Sequence, residues 1–389
     1  MPERKSASPD GRARTVRVAV DGYYGDRAYG FGRYVRELTT ALDRWSHELE
    51  IFIIVPEGHT DWTEKLARCR VIVQPSCTFP LWEQVVIPLV ARRHHCDVIH
   101  FPYQSSSLLW PKERSIVTIH DLMFLTAPVA GSGAREMLFR LFHMYRRVAF
   151  GLHGRDVRAL VAVSHATQLQ LSSYRATAMV VPNVCESFVA AHGEVAPATD
   201  LGRFFLHRGH PGPHKNTRRI VEAFGRVRRL VGDVSLVIYG RDVDDGALAG
   251  LPTAGVIMAG AVSDERLAAM YRAAVAVVVA SLEEGFALSI IEGFGFETAV
   301  VTSRVPPMSD IAGNAALLVD PYDVGAIAEA MQRLLLEPEL KGRLLQEGKS
   351  RYLSFSSRAV ARQLAAIYRS AASSCRQGRY RNAAWKSAV

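Results

Sequence analysis

Two carboxylates, Glu284 and Glu292, stand eight positions apart in EEGFALSIIE, directly after the Val-rich run AVAVVVAS. Carboxylates accept hydrogen bonds from hydroxyls, so this pair could serve two hydroxyl-bearing parts of one ligand. Arg208 and Lys215, in FFLHRGHPGPHKN, offer cations to an anion. Where a phosphate group is displaced, charge grows on its oxygens in the transition state, and fixed cations stabilise it most there. His120 and Asp121 close the run SIVTIHD, and Gly30 and Gly32 in YGFGRY would let backbone approach a ligand closely. A ligand that carries both phosphate and sugar hydroxyls asks for all of these: cations or N–H groups for the anion, carboxylates for the hydroxyls, and a dry slot.

Such residues need elements to hold them. Short Val/Ile-rich runs alternate with longer stretches of helical spacing: RVAVDG, IFIIV, RVIVQ, DVIHFP, SIVTIHD and ALVAVS in the first half, then FFLHRG, SLVIYG, VIMAG, AVAVVVAS, AVVTSR and AALLVD. Strands alternating with helices predict α/β architecture with parallel sheets, here two Rossmann-like domains facing each other across a cleft. Ligands of open α/β sheets bind at the carboxyl ends of strands, where a helix N-terminus offers free N–H groups. The run Ala274 to Ser281 predicts a buried strand, and Ala287 to Phe296 the helix after it, with Glu284 in the loop and Glu292 looking in from the helix. Residues 1–15 read as a disordered basic N-terminus, 16–185 as the first domain and 203–356 as the second. Between them, 186–202 loses both periodicities and reads as a linker. A helix over 357–374 and a basic tail over 375–389 complete the chain.

The 389 residues suit two domains, and a net charge of +9 is basic without being dense. Lys and Arg outnumber Asp and Glu by 23 to 20 through residue 200 and by 24 to 18 beyond it. Neither half is therefore a basic arm for nucleic acid, and no nucleic-acid partner is expected. Five scattered cysteines without C-x-x-C spacing imply reduced thiols in a cytoplasmic protein. The segment MPERKSASPDGRAR has no apolar core, so neither signal peptide nor anchor is expected there, and no apolar run is long enough to span a membrane. Six arginines against two acids, with interleaved aromatics, in REMLFRLFHMYRRVAFGLHGRDVR suit either a domain helix with solvated arginines or a basic amphipathic face on an anionic membrane.

From FFLHRGHPGPHKN through VSDERLAAMYRAA and SLEEGFALSIIEGFG to VTSRVPPMSDIAGNAALLVDPYDVGAIAEAMQRLL, the second half resembles the nucleotide-sugar domain of retaining glycosyltransferases of family 4, which have the GT-B fold. The first half is similar more loosely, through AVDGYYGDRAYGFGRYVREL, DVIHFPY, VTIHDLMFL and AVSHATQLQL. The resemblance implies that His120 and Glu284 are catalytic, with Glu284 reaching the donor sugar and His120 meeting it from the opposite domain. It implies donor binding by Gly30, Gly32, Arg208, Gly209, Lys215, Phe286, Ala287, Leu288 and Glu292, the last on the ribose. In this fold the helix over 357–374 crosses back to the first domain. Ala287 and Glu297 replace the usual glycines, and Ser309-Asp310 the usual Pro-Glu.

The expected activity is transfer of a sugar, mannose from GDP-mannose as first choice, to a hydroxyl of a glycan or lipid-linked acceptor, with retention and without metal or other cofactor. The expected place is cytoplasmic, with a peripheral membrane contact. A nucleotide-sugar epimerase or hydrolase of the same fold, and a nucleotide-sugar-binding protein with a decayed site, are the alternatives. His94, His95, Cys96, Asp97 and His100 are metal-ligand types, but they run from a helix end into a strand whose neighbours point to opposite faces. Asp242 and Asp244 form the D-x-D pattern of the other large glycosyltransferase fold, and read instead as a solvated loop. Neither G-x-S-x-G nor a P-loop is present.

Overall fold

The computed structural model describes residues 15–27, 30–126, 134–154, 156–174, 176–210, 212–240 and 248–376. Seven strands form the first sheet: β1 Val16–Asp21, β2 Leu49–Pro56, β3 Arg70–Gln74, β4 Val98–Phe101, β5 Ser115–Ile119, β6 Ala159–Ala162 and β7 Ala178–Val180. Six form the second: β8 Phe204–Arg208, β9 Ser235–Tyr239, β10 Val256–Gly260, β11 Ala276–Val279, β12 Ala299–Ser303 and β13 Leu317–Val319. The orders are β3-β2-β1-β4-β5-β6-β7 and β10-β9-β8-β11-β12-β13, with every pairing parallel. Both sheets thus reverse direction beside their first strand, between β1 and β4 and between β8 and β11, where a doubly wound sheet opens a crevice. Continuous apolar runs are what strands covered on both faces require, and all of β4, β5, β6, β11 and β12 is buried.

Three local expectations need correction. Strand β7 is absent from the sequence reading, because three residues, AMV, carry too little pattern. Segment 186–202 contains the helix Glu186–His192 and a turn at Thr199–Leu201. Its first turn is capped from outside: Glu37 accepts hydrogen bonds from the Ser187 and Phe188 amides at 2.9 and 2.8 Å. A carboxylate at a helix N-terminus stabilises it, and no local pattern reveals one supplied 150 residues away. The helix after β11 is Leu288–Gly295, one residue shorter at each end than expected, with Ala287 outside it in a left-handed conformation.

The helix Ser357–Arg376 packs on the helix Phe31–Trp45 and on β1 and β4. Its Tyr368 hydroxyl lies 2.7 Å from His100 Nδ1, whose Nε2 lies 2.7 Å from Thr118 Oγ1. His100 is therefore a satisfied core side chain, and burial lowers its pKa to about 3. One hydrophobic cluster joins the two halves, running from Val18, Leu38 and Tyr368 to Val277, Ile290 and Phe294.

Candidate active site

The Lys215–Glu284 pair is built by two loops tied together at the carboxyl ends of β8 and β11. Asn216, left-handed at φ 58° and buried, donates from Nδ2 to the Ala280 and Pro321 carbonyls at 2.8 and 2.6 Å. The Leu282 amide donates to the His214 carbonyl at 2.7 Å. These bonds fix the turn holding Lys215 against the loop holding Glu284. Lys215 Nζ lies 2.5 Å from Glu284 Oε1, which also accepts from Ser281 Oγ at 2.8 Å. Burial, the largest influence, pushes the Glu284 carboxyl up; the Lys215 charge and the two hydrogen bonds outweigh it and hold it below the usual range. For Lys215 burial prevails and lowers the pKa, against the pull of Glu284. The ion pair holds charge in a dry place, ready for a ligand that carries both a diphosphate and hydroxyls.

The other half closes over this pair. A Cβ built on Gly285 would fall 1.7 Å from the His120 carbonyl oxygen, so only glycine admits this contact. Thr167 Oγ1 donates across the same seam to the Gly285 carbonyl at 3.4 Å. His120 Nε2 lies 2.9 Å from the Pro102 carbonyl, which makes Nε2 the protonated nitrogen and leaves Nδ1 an acceptor. Its ring stands edge-on to Phe31 and Tyr34. Burial lowers its pKa to about 4, so the imidazole is neutral at pH 7.

The two glycines of the first loop differ. Gly30 caps the helix Phe31–Trp45 at φ 62°, and a Cβ on it would meet Arg208 Nη2 across the cleft at 3.9 Å. Gly32 is needed for packing: a Cβ there would fall 2.0 Å from the Arg27 carbonyl. The Gly209 amide donates to the Tyr239 carbonyl at 2.8 Å, continuing the ladder. Phe286 is buried, edge-on to Phe355. Ala287 and Leu288 form a helix N-terminus that no side chain caps. Glu292 is 5% exposed; its Oε2 accepts from the Tyr271 hydroxyl at 2.8 Å, and its Oε1 lies 3.4 Å from Arg33 Nε. Sequence reading missed Arg33 and Asn216. Arg33 looks like one more helix cation in GRYVREL, and only its near-total burial marks it out.

Two of the positions that depart from the resemblance keep the backbone that glycine would serve, while Ser309 and Asp310 lie in the helix Met308–Ala312. Ala287 has φ 65° and Glu297 φ 54°. Left-handed conformation costs a side chain-bearing residue about 1 kcal/mol or more, so the loop geometry persists at the expense of local strain. Asp242 and Asp244 lie outside the described residues. Among the described residues no three His, Cys, Asp or Glu side chains converge in a way that could hold a metal ion.

The family model for Glycosyltransferase Family 4 matches residues 29–186, and that for Glycosyl transferases group 1 matches residues 197–351. The chain belongs to this family of glycosyltransferases. Among curated proteins it is 31% identical over 168 residues to the MMP alpha-(1->4)-mannosyltransferase of Mycolicibacterium hassiacum, covering 41% of each chain. It is 28% identical over 240 residues to the O-antigen chain mannosyltransferase B of Escherichia coli, covering 56% of this chain and 60% of that one. These matches span less than two thirds of either relative. Among solved structures, the sucrose-phosphate synthase of Thermosynechococcus elongatus superposes with a TM-score of 0.64 at 20% identity, over 91% of this chain and 98% of that one. A glycosyltransferase of Rickettsia africae gives 0.64 at 16% identity over 92% and 99%. Both share the GT-B arrangement of two parallel sheets.

Proposed function

We propose that this glycosyltransferase is a metal-independent, retaining enzyme that moves mannose from GDP-mannose to a hydroxyl of a glycan or lipid-linked acceptor. The observation that carries the reading is the largely buried Lys215–Glu284 pair, close enough to Arg208 to feel its charge, with the His120 carbonyl of the other domain packed against the neighbouring Gly285. Lys215 and Arg208 meet the diphosphate, Glu284 the sugar as its ring gains positive character, and Glu292 the ribose. The bond from the anomeric carbon to the donor phosphate oxygen breaks as the acceptor oxygen bonds to the same face. The acceptor proton passes to the departing phosphate oxygen. Neutral His120 offers Nδ1 to a sugar hydroxyl. Mannose is favoured by the names of the two curated relatives.

The roles separate kinetically. Glu292→Ala should weaken the bare nucleotide and the donor alike, raising KM more than it lowers kcat. Glu284→Gln should leave nucleotide binding intact and lower kcat roughly a hundredfold, as for loss of one electrostatic stabiliser. Normal turnover by Glu284→Gln, or loss of nucleotide as severe as in Glu292→Ala, would refute the assignment.

A lipid-linked acceptor further suits the helix Ala134–Ala149. Met137, Leu141, Met144 and Val148 are each more than half exposed and recur at i, i+4, i+7 and i+11, with Arg140 and Arg147 exposed beside them. This combination fits the surface of an anionic membrane, approached from the cytoplasmic side. No helix among the described residues is long and apolar enough to cross a membrane. Co-sedimentation with phosphatidylglycerol vesicles, lost in Leu141→Asp and Met144→Asp, tests the contact; equal sedimentation of wild type and variants would refute it.

A further inference from the structure

Arg33 carries a permanent charge with only 3% of its surface exposed, and besides Glu37 one turn along its own helix its described partners lie in the second half of the chain or the segment leading to it. Nη2 and Nη1 donate to Asp264 Oδ1 and Oδ2 at 2.8 and 3.2 Å. Arg36, one turn on, adds a contact of 3.3 Å to Asp264 Oδ2. The face of the guanidinium lies on the Phe188 ring, 3.4 Å from its centre. Nε makes no hydrogen bond and lies 3.4 Å from Glu292 Oε1.

The fork is taken by Asp264 and the face by Phe188, so the guanidinium has little freedom, and the Nε edge that remains lies beside Glu292. Tyr271 holds the other Glu292 oxygen at 2.8 Å. Each carboxylate oxygen has two acceptor sites, so one protein neighbour apiece leaves capacity for a diol. Lysine could not reproduce this, because it lacks the planar fork that engages Asp264 while presenting a third N–H elsewhere.

We propose that Arg33 is a positioning residue: from the opposite domain it orients Glu292 for the ribose hydroxyls of the donor, so that nucleotide affinity depends on the contact between domains. The proposal rests on the ribose reading of Glu292. Its test is calorimetry of GDP and UDP, and of their 2′,3′-dideoxy counterparts, on wild type, Arg33→Ala, Arg33→Lys and Glu292→Ala. Arg33→Ala should weaken the binding ribonucleotide about tenfold, within the range of coupling between neighbouring groups, and change the dideoxy ligand less than about twofold. Arg33→Lys, which retains charge and stem, should lose roughly threefold on the same ribonucleotide and carries the comparison should the alanine variant not fold. A purely structural role would weaken both ligands equally, and that result overturns the proposal, as does unchanged affinity. Wild-type affinity in Glu292→Ala, or binding of neither GDP nor UDP to the wild type, would instead remove the ribose reading on which the proposal stands.

Discussion

Replacing Lys215 with methionine isolates the electrostatics of the cleft. The Glu284 side chain is 9% exposed and that of Lys215 13%, so the substitution strands a carboxylate whose remaining donor is Ser281 Oγ. Breaking a buried pair by removing one partner costs about 3–5 kcal/mol. For a cooperative unit the size of the second domain this lowers Tm by roughly 6–20 °C. The deficit must depend on pH. In the wild type Lys215 keeps the Glu284 carboxyl below its ordinary range. Without it, burial outweighs the remaining Ser281 hydrogen bond and raises the folded-state pKa above the unfolded value. Such a group is tolerated while protonated, and stability is lost as pH rises through the new pKa. The gap to wild type should therefore be small at pH 5 and full at pH 8. In Lys215→Met/Glu284→Gln no charge is stranded, and thermal unfolding followed by circular dichroism should return close to wild type while transfer stays abolished. A double variant no more stable than Lys215→Met, or a deficit flat between pH 5 and 8, would refute the reasoning.

Asp21 gives the wild type itself a pH-dependent stability of the same origin. Burial, against hydrogen bonds from the Tyr23 amide and Trp82 Nε1, pushes Asp21 up to about 7, and its Oδ2 has no partner. The folded state prefers the protonated acid, so stability falls as pH rises from about 4 to 7, by up to about 4 kcal/mol for a shift near three units. Asp21→Asn should match wild type at pH 4 and exceed it at pH 8 in urea unfolding; equal midpoints at pH 8 would contradict this. Ala287→Gly and Glu297→Gly should each stabilise by about 0.5–1 kcal/mol, because both residues hold a positive φ, and a lower Tm in either variant would count against that strain. Transfer should survive EDTA; loss of activity restored by manganese would bring Asp242 and Asp244 into the site.

How much of this was legible in the sequence depends on the range of the signal. Twelve of the thirteen strands announce themselves as short runs rich in apolar residues, most plainly β4, β5, β6, β11 and β12, where burial on both faces writes itself locally. Glu284 and Lys215 were visible because loop residues after strands belong to the crevice, and Glu292 because it stands on the helix that follows. Interactions across the cleft were not visible. Glu37 capping the helix Glu186–His192, Arg33 beside Glu292, and Gly285 forced by the His120 carbonyl each join segments about 150 residues apart or more, and no local periodicity encodes them. Asn216 shows the same limit at shorter range. In HKN it reads as a turn residue, whereas its side chain ties the loops after β8, β11 and β13 together.

The central claim is that the cleft holds a nucleoside diphosphate by its phosphates at Lys215 and its ribose at Glu292. Titration calorimetry of GDP and GMP, with UDP and UMP alongside, into wild type and Lys215→Met tests it most directly. The account predicts one site per chain, a clear preference for diphosphate over monophosphate in the wild type, and loss of that preference in Lys215→Met with the monophosphate affinity little changed. Absence of nucleotide binding, or a diphosphate preference that survives removal of Lys215, would contradict it.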